Sequence, residues 1–217
     1  MAADPRDLAG QLAALPNNVR LVFFTQTFGC EACLPARQLV NEVARLSERV
    51  TVEEYNLVLD KEQAAEYGVD RAPATVVVGA RDLGLRFYGI PSGHELTTLV
   101  DAVVLAGGGS PAGGALAPET LAVLAVLDRP VDIKVFVTPT CRFCPQTASL
   151  AYRLAAASPH ITTSVFEATE FPDLVQRYRV SGVPKTVVDD QIEILGAQPE
   201  EVFVKDALPV GPAGQPA

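Results

Sequence analysis

The chain contains the same arrangement of residues twice, and this internal repeat constrains its fold more than any other feature. Each copy has a β-rich apolar run, then a Cys-x-x-Cys pair, then a proline forty residues beyond the second cysteine and just before another apolar run. These residues are Cys30, Cys33 and Pro73 in the first copy, and Cys141, Cys144 and Pro184 in the second. Because self-similarity at a fixed spacing indicates repeated structural units, we predict two copies of one unit.

A glycine-rich stretch separates the two copies. Residues 106–114 read Ala-Gly-Gly-Gly-Ser-Pro-Ala-Gly-Gly, a composition typical of flexible connectors. A chain of 217 residues is also long enough for two small domains. We therefore predict a first unit at residues 1–108, a connector at 109–114, a second unit at 115–208 and a flexible tail at 209–217.

Within each copy, β-rich runs alternate with stretches of helical periodicity, which predicts an α/β fold. The strands are predicted at residues 21–24, 50–57, 75–78 and 85–88, and at 133–137, 161–166, 186–188 and 192–195. The helices are predicted at 7–15, 95–105, 118–127 and 199–207, and after each cysteine pair. The apolar faces of the two helices after the cysteine pairs are predicted to be Leu39, Val43 and Leu46 in the first, and Leu150 and Leu154 in the second. Because each copy closes with two strands and a helix, we expect a mixed sheet, with an extra helix ahead of the first strand of each copy.

Each cysteine pair stands where a strand gives way to a helix. The N-terminus of a helix presents free N–H groups and a partial positive charge, which stabilise a thiolate and lower the pKa of a cysteine from about 8.5. The thiolate is the attacking species in disulfide exchange, and a second cysteine one turn further on is close enough to form a disulfide. Cys30 and Cys141 are therefore predicted to be exposed nucleophiles, and Cys33 and Cys144 buried resolving thiols.

Other interpretations of these residues remain open. Two Cys-x-x-Cys pairs can together bind one zinc ion, although the equal position of each pair in its repeat favours redox chemistry. A purely structural disulfide is disfavoured because it would close a very small loop. Glu53 and Glu54 are interpreted as an edge or solvent-facing pair, and His94 as a residue near a helix start.

The composition limits the partners of the chain. Lys and Arg number 17 and Asp and Glu 26, a net charge of −9, which disfavours nucleic acid and anionic membrane surfaces. The longest apolar runs are far shorter than the roughly 18–20 residues of a membrane span. The first residues carry no recognisable targeting signal, so we expect a cytoplasmic protein, in which disulfides are usually catalytic or redox-sensing.

With these motifs in place, the sequence resembles the thioredoxin fold twice over, and its tandem arrangement is similar to the glutaredoxin-like protein disulfide oxidoreductases of thermophilic archaea and bacteria. Residues 87–95, Phe-Tyr-Gly-Ile-Pro-Ser-Gly-His-Glu, also look like the first unit of that family. The resemblance implies that Pro73 and Pro184 are cis. It also implies that the backbone of Ala72 and Val183 binds an extended substrate strand.

The chain departs from thioredoxins in several places. It has no tryptophan, and Phe24 and Val135 stand where thioredoxins bury an acid on the strand before the first cysteine. Glu31 lies beside Cys30, whereas Arg142 lies beside Cys141. Because a neighbouring positive charge favours a thiolate and a negative charge disfavours it, the second pair is predicted to be the more reactive.

The function predicted from these features is that of a thiol–disulfide oxidoreductase with two dithiol sites, which reduces, oxidises or isomerises protein disulfides through a mixed disulfide. No nucleotide-binding fingerprint is present, so we expect no bound cofactor and an external electron source. The resemblance implies a flavoprotein of the thioredoxin-reductase type as that source, client proteins with disulfides or thiols, and a peroxiredoxin as a further candidate partner. The alternatives are a dedicated electron carrier to a peroxidase, against which two intact cysteine pairs count, and a zinc-stabilised binding module.

Overall fold

The computed structural model describes residues 5–111 and 113–208. The predicted tail at 209–217, residues 1–4 of the first unit and residue 112 of the connector lie outside the described residues. The division into units at residues 1–108 and 115–208 stays a prediction. Below, the first unit means the elements α1 to α4, and the second unit the elements α5 to α8.

The two units have the same order of strands and helices. The first unit consists of α1 (Pro5–Ala13), β1 (Val19–Thr25), α2 (Cys33–Ala44), β2 (Val50–Asn56), α3 (Lys61–Glu66), β3 (Ala74–Val78), β4 (Asp82–Tyr88) and α4 (Glu95–Ala106). The second unit consists of α5 (Pro118–Ala125), β5 (Val131–Val137), α6 (Cys144–Ala157), β6 (Ile161–Glu167), α7 (Pro172–Arg177), β7 (Lys185–Val188), β8 (Ile192–Leu195) and α8 (Glu200–Ala207). A single 3-10 turn, Ala168–Glu170, precedes α7.

All eight strands form one continuous mixed sheet, in the order β2-β1-β3-β4-β6-β5-β7-β8. The two units meet where β4 pairs with β6 in parallel, with Leu85 opposite Thr163 and Tyr88 opposite Phe166. Because β1 and β4 both run antiparallel to β3, and β4, β6 and β5 are parallel, β1 and β5 point the same way. The carboxyl ends of the two strands that precede the cysteine pairs therefore lie at the same edge of the sheet.

Helices cover both faces of this sheet, so its central strands are apolar on both sides. In β1, Leu21 and Phe23 face the core beneath α2, whereas Val22 and Phe24 face the core on the side of α3. All four side chains are fully buried. The larger core extends through both units without interruption, because the paired β4 and β6 lie between them.

The structure corrects one part of the sequence prediction. The helix after the first cysteine pair ends at Ala44, so Leu46 lies beyond it and is 44% exposed. Val43 is buried as predicted and Leu39 is partly buried against the core, while Cys33, Ala36 and Val40 complete the buried face of α2. In α6 both predicted residues, Leu150 and Leu154, are buried as expected.

The short helices α3 and α7 are additions to the elements predicted from the sequence. Each has six residues and buries only one of them, Ala64 in α3 and Leu174 in α7. A single buried residue produces no periodic pattern, so neither helix can be recognised by periodicity. In the described part of the chain, no helix has the length and apolar character needed to cross a membrane.

Candidate active site

Both Cys-x-x-Cys pairs are closed as disulfides in the turn between a strand and a helix. The Cα atoms are 5.4 Å apart in Cys30–Cys33 and 5.5 Å apart in Cys141–Cys144. Each helix begins at the second cysteine, and the N–H of that cysteine donates to the carbonyl oxygen of the first. The first cysteine therefore lies one turn ahead of the free N–H groups of the helix, close enough for their partial positive charge to act on its sulfur.

Within each disulfide the two cysteines differ in exposure. Cys30 and Cys141 are partly exposed, whereas Cys33 is 4% and Cys144 0% exposed. The first cysteine of each pair is therefore the more accessible to a thiolate from another molecule. This order of exposure is the one expected for an attacking first cysteine and a resolving second cysteine.

The two predicted prolines lie directly before β3 and β7, and both are preceded by cis peptide bonds, Ala72–Pro73 and Val183–Pro184. In the second unit this loop contacts the disulfide, because the carbonyl oxygen of Val183 lies 3.7 Å from Sγ of Cys141. Ala72 and Val183 are partly exposed, whereas both prolines are buried.

A buried carboxylate next to the second site is missed by the sequence analysis. Glu95, the first residue of α4, is 0% exposed, and burial raises its pKa to about 8. The hydroxyl of Thr98 donates to Oε2 of Glu95 at 2.8 Å, while Oε1 has no hydrogen-bond partner among the described residues. The N–H of His94 donates to the carbonyl oxygen of Pro139 at 2.9 Å, which ties the start of α4 to the loop that carries Cys141.

This acid belongs to the first unit, but the residues just before it contact the loop of the second unit that carries Cys141. On the strands before the cysteines, where thioredoxins place their acid, Phe24 and Val135 are apolar and fully buried. The signal that the sequence does offer is the segment from Gly93 to Glu95, which is part of the family resemblance. Only the packing of α4 against α6 shows which cysteine pair this segment approaches.

Two further glutamates lie at the junction of the units. Glu167 is 1% exposed, and its charge contributes to the raised pKa of Glu95. Burial raises the pKa of Glu170 to about 7. One of its carboxylate oxygens accepts a hydrogen bond from the N–H of Ile90 at 2.8 Å. The carboxyl groups of Glu95, Glu167 and Glu170 therefore all lie where the first unit contacts the second.

The first site has different surroundings. A cavity of about 510 Å³ opens beside its disulfide and is lined by both cysteines, Arg37 and Glu54, among other residues. Nη1 of Arg37 lies 3.2 Å from Oε1 of Glu54, and both side chains are partly exposed. Glu54 lies on β2, the outermost strand, as expected for an edge residue.

The remaining predicted residues lie at a helix start or on the surface beside the cysteines. His94 directly precedes α4, as expected. Glu31 and Arg142 are both exposed next to the first cysteine of their pair. The guanidinium of Arg142 lies over the ring of Phe143, 4.8 Å from its centre. Within residues 5–111 and 113–208, no group of three or more His, Cys, Asp and Glu side chains is arranged to hold a metal ion.

Comparison with known proteins places this geometry among redox proteins. Residues 131–208 match the family model of the thioredoxin domain. The F subunit of alkyl hydroperoxide reductase in Staphylococcus epidermidis is 25% identical over 155 residues, which cover 71% of this chain and 27% of that protein. A protein named NADH dehydrogenase from Ferdinandcohnia aciditolerans is 26% identical over 195 residues, which cover 81% of this chain and 35% of that protein. The chain thus spans about a third, or less, of the length of these curated relatives.

Two solved structures match nearly the whole chain. The F subunit of alkyl hydroperoxide reductase in Enterococcus faecalis is 28% identical, with a TM-score of 0.85 over 93% of this chain and 96% of that chain. A protein disulfide oxidoreductase from Aeropyrum pernix is 27% identical, with a TM-score of 0.83 over 93% of this chain and 89% of that chain. The chain is therefore built of two tandem thioredoxin-fold units, each with a disulfide-bonded Cys-x-x-Cys pair, in the arrangement of these two oxidoreductases.

Proposed function

We propose that the protein is a thiol–disulfide oxidoreductase that exchanges disulfides with other proteins at both cysteine pairs. The observation that carries this proposal is that each unit has a disulfide whose first sulfur is accessible and whose second is buried at the start of a helix. The similarity to the oxidoreductases named above supports the same chemistry.

In the reducing direction, the thiolate of Cys30 or Cys141 attacks one sulfur of a substrate disulfide. An S–S bond forms between enzyme and substrate, and the other substrate sulfur leaves as a thiolate. The thiolate of Cys33 or Cys144 then attacks the first cysteine, so the enzyme disulfide forms and the second substrate thiolate is released. Two electrons pass to the substrate, and the reverse sequence oxidises a dithiol.

In the second unit we assign to Glu95 the role of proton acceptor for the resolving thiol. Cys144 is fully buried, so its thiol cannot lose its proton directly to bulk water. With a pKa raised to about 8 by burial, Glu95 is mostly protonated at neutral pH, and its ionised fraction is a strong enough base to accept the proton of the Cys144 thiol. The hydrogen bond from His94 to Pro139 supports the placement of this acid beside the loop that carries Cys141.

We assign substrate binding to the loops before β3 and β7. Ala72 and Val183 are partly exposed next to the buried Pro73 and Pro184, and such a segment can add an extended substrate strand by backbone hydrogen bonds. The position of the Val183 carbonyl oxygen, 3.7 Å from Sγ of Cys141, supports this role in the second unit.

The similarity to the alkyl hydroperoxide reductase proteins supports a redox partner for this chain. We propose a flavoprotein of the thioredoxin-reductase type as electron source, disulfide-containing client proteins as substrates, and the cytoplasm as the location. A second function, electron delivery to a peroxidase of the peroxiredoxin type, is favoured by the match of nearly the whole chain to the Enterococcus faecalis protein.

Reduction of insulin by dithiothreitol tests the proposal. The experiment compares the native protein with two double variants, Cys30→Ser with Cys33→Ser and Cys141→Ser with Cys144→Ser. We expect catalysis by the native protein and by at least one variant, and none when all four cysteines are serine. Native protein no faster than dithiothreitol alone would contradict the function.

A competition assay separates the two functions. The reduced protein is offered a peroxiredoxin disulfide and insulin in parallel, and the second-order rate constants are compared. Similar constants support a general oxidoreductase, whereas a constant for the peroxiredoxin at least about 100-fold larger would identify a dedicated carrier, since specific interfaces raise association rates by such factors.

A further inference from the structure

Exposed apolar side chains cluster around the first disulfide. Phe28 is 87%, Leu59 79%, Val58 58% and Leu34 55% exposed. We call these four residues the first-site patch. Large apolar side chains exposed together mark interaction surfaces far more often than single ones do.

The segments that carry the patch are held side by side. The N–H of Leu57 donates to the carbonyl oxygen of Thr25 at 2.8 Å, and the side-chain amide of Asn56 donates to the hydroxyl of Thr27 at 3.3 Å. The loop that carries Phe28 and the loop that carries Val58 and Leu59 therefore meet at the end of β1 and β2, next to the start of α2.

The cavity enclosed by these segments is polar and acidic. Its charged lining residues are Arg37, Glu54 and Asp60, one guanidinium against two carboxylates. Glu31, exposed beside Cys30, adds a third carboxylate. The next residues after Asp60 are Lys61 and Glu62, whose charges offset each other. The surface at the first disulfide thus combines exposed apolar side chains, of which Leu34 lines the cavity, with a net negative charge.

The second unit lacks this surface at the corresponding positions of the repeat. The counterparts of Leu34, Val58, Leu59, Arg37 and Glu54 are Pro145, Thr169, Glu170, Ala148 and Val165. This side of the second unit is covered by the first unit, because β4 pairs with β6 and Ile90 donates to Glu170. In the first unit the same side is open, since β2 is the last strand of the sheet.

We propose that the first-site patch docks a client polypeptide whose disulfide is flanked by apolar and basic side chains. The apolar side chains of the client cover the first-site patch, and a basic side chain enters the acidic cavity beside Cys30 and Cys33. A second copy of this chain fits poorly, because each copy carries a net charge of −9 and the edge strand β2 presents Glu53 and Glu54. This inference rests on the proposed function and specifies the substrates of its first site.

The test uses the full chain with Cys141→Ser and Cys144→Ser, so that only the first pair reacts. Its substrates are two peptides with one internal disulfide, flanked by Leu and Lys in one and by Ser and Glu in the other, and the small neutral hydroxyethyl disulfide. We expect kcat/KM for the Leu–Lys peptide to exceed that for the Ser–Glu peptide by about tenfold or more. This ratio is expected to fall as the salt concentration rises.

Further variants of the Cys141→Ser, Cys144→Ser protein test which residues cause the preference for the Leu–Lys peptide. Leu59→Ser is expected to raise KM for the Leu–Lys peptide several-fold, with the rate on hydroxyethyl disulfide unchanged. Glu54→Gln is expected to raise the same KM by removing one of the acidic groups of the cavity. Val126→Ser is the matched control, because Val126 is an apolar residue 68% exposed after α5 in the other unit. It is expected to change neither rate.

The outcomes separate this inference from the proposed function. Equal kcat/KM for the two peptides, with hydroxyethyl disulfide still reduced, overturns the docking site and leaves the function in place. A dimer in sedimentation that Leu59→Ser dissociates assigns the patch to a second copy and also overturns the proposal. Failure to reduce hydroxyethyl disulfide at all refutes disulfide chemistry at the first pair.

Discussion

At the scale of single residues, the positions of the two disulfides and of the two cis prolines could be predicted from the sequence, because their spacing recurs in both copies. Glu95 could not, because it approaches the second cysteine pair from the other unit. Spacing along the chain identifies what a unit contains but not what its neighbour contributes. The exposure of Glu54 likewise depends on the order of strands, which places β2 at the outside of the sheet.

The raised pKa of Glu95 predicts how stability depends on pH. Its pKa is about 8 in the folded protein and near its ordinary value of 4.5 in the unfolded chain, so the folded state holds the extra proton between these values. The free energy of unfolding therefore falls as pH rises from about 4.5 to 8, by up to about 5 kcal/mol (about 1.4 kcal/mol per unit of pKa).

Urea denaturation of the oxidised protein at pH 5 and pH 8.5 measures this fall. Glu95→Gln is expected to reduce it, with Glu170 accounting for part of the remainder because its pKa is also raised, to about 7. Glu42→Gln, an exposed residue on α2, serves as control. An equal fall in native protein and Glu95→Gln would show that this carboxylate is not held protonated.

The charges beside the first cysteines predict different thiol reactivities. Arg142 and Glu31 are exposed, so solvent screens their effect and the difference in reactivity between Cys141 and Cys30 is expected to be small. Alkylation rates against pH are measured in Cys33→Ser and Cys144→Ser, each in a background where the other pair is serine. Cys141 is expected to react faster at neutral pH, and a faster Cys30 would refute the hypothesis.

At the scale of elements, the strands could be predicted closely because each is a compact β-rich run between turn residues. The ends of helices were harder to place. Leu46 continues the apolar spacing of Leu39 and Val43, yet α2 has already ended at Ala44 and Leu46 points into solvent. Apolar spacing continues past the end of a helix by coincidence, and only tertiary packing decides which of those residues are buried.

The start of α4 predicts a coupling between the units. Gly93 has a φ of +60°, and a Cβ at this position would lie 2.4 Å from the carbonyl oxygen of Pro139. Gly93→Ala is therefore expected to destabilise the protein by about 1–3 kcal/mol and to slow the second site by displacing Glu95 from the loop that carries Cys141.

This coupling is measured by insulin reduction in variants that keep only one cysteine pair, the other pair being replaced by serine. In Gly93→Ala the second pair is expected to lose activity, whereas the first pair keeps it. Gly10→Ala is the control, since no atom lies within 4 Å of its added Cβ. Equal loss at both pairs would show general destabilisation instead of a local displacement.

At the scale of the whole molecule, the shared sheet makes the two units one folding body. Phe166 lies at the joint, with ring centres 4.5 Å from Tyr88, 5.6 Å from Phe136 and 5.8 Å from Phe171. The repeat in the sequence predicted two units but contained nothing about this joint, because the pairing of β4 with β6 occurs once and has no counterpart in the repeat.

Phe166→Ala is expected to lower the free energy of unfolding by about 3–5 kcal/mol, the usual cost of removing a buried aromatic ring. Both units are expected to unfold in one transition in native protein and variant, measured by far-UV circular dichroism and tyrosine fluorescence. Phe28→Ala, at an exposed ring, is the control. Two separate transitions in the native protein would contradict a shared folding body.

The position of Glu95 also determines whether each half of the chain contains all the residues of its own site. The acid near the second disulfide comes from the first half of the chain. The cavity, the acids and the loops around the first disulfide also come from the first half. For the acid near its disulfide, the second half therefore depends on the first, whereas the joint between β4 and β6 is shared by both halves. The trailing half expressed alone is therefore expected to form its disulfide without this carboxylate nearby.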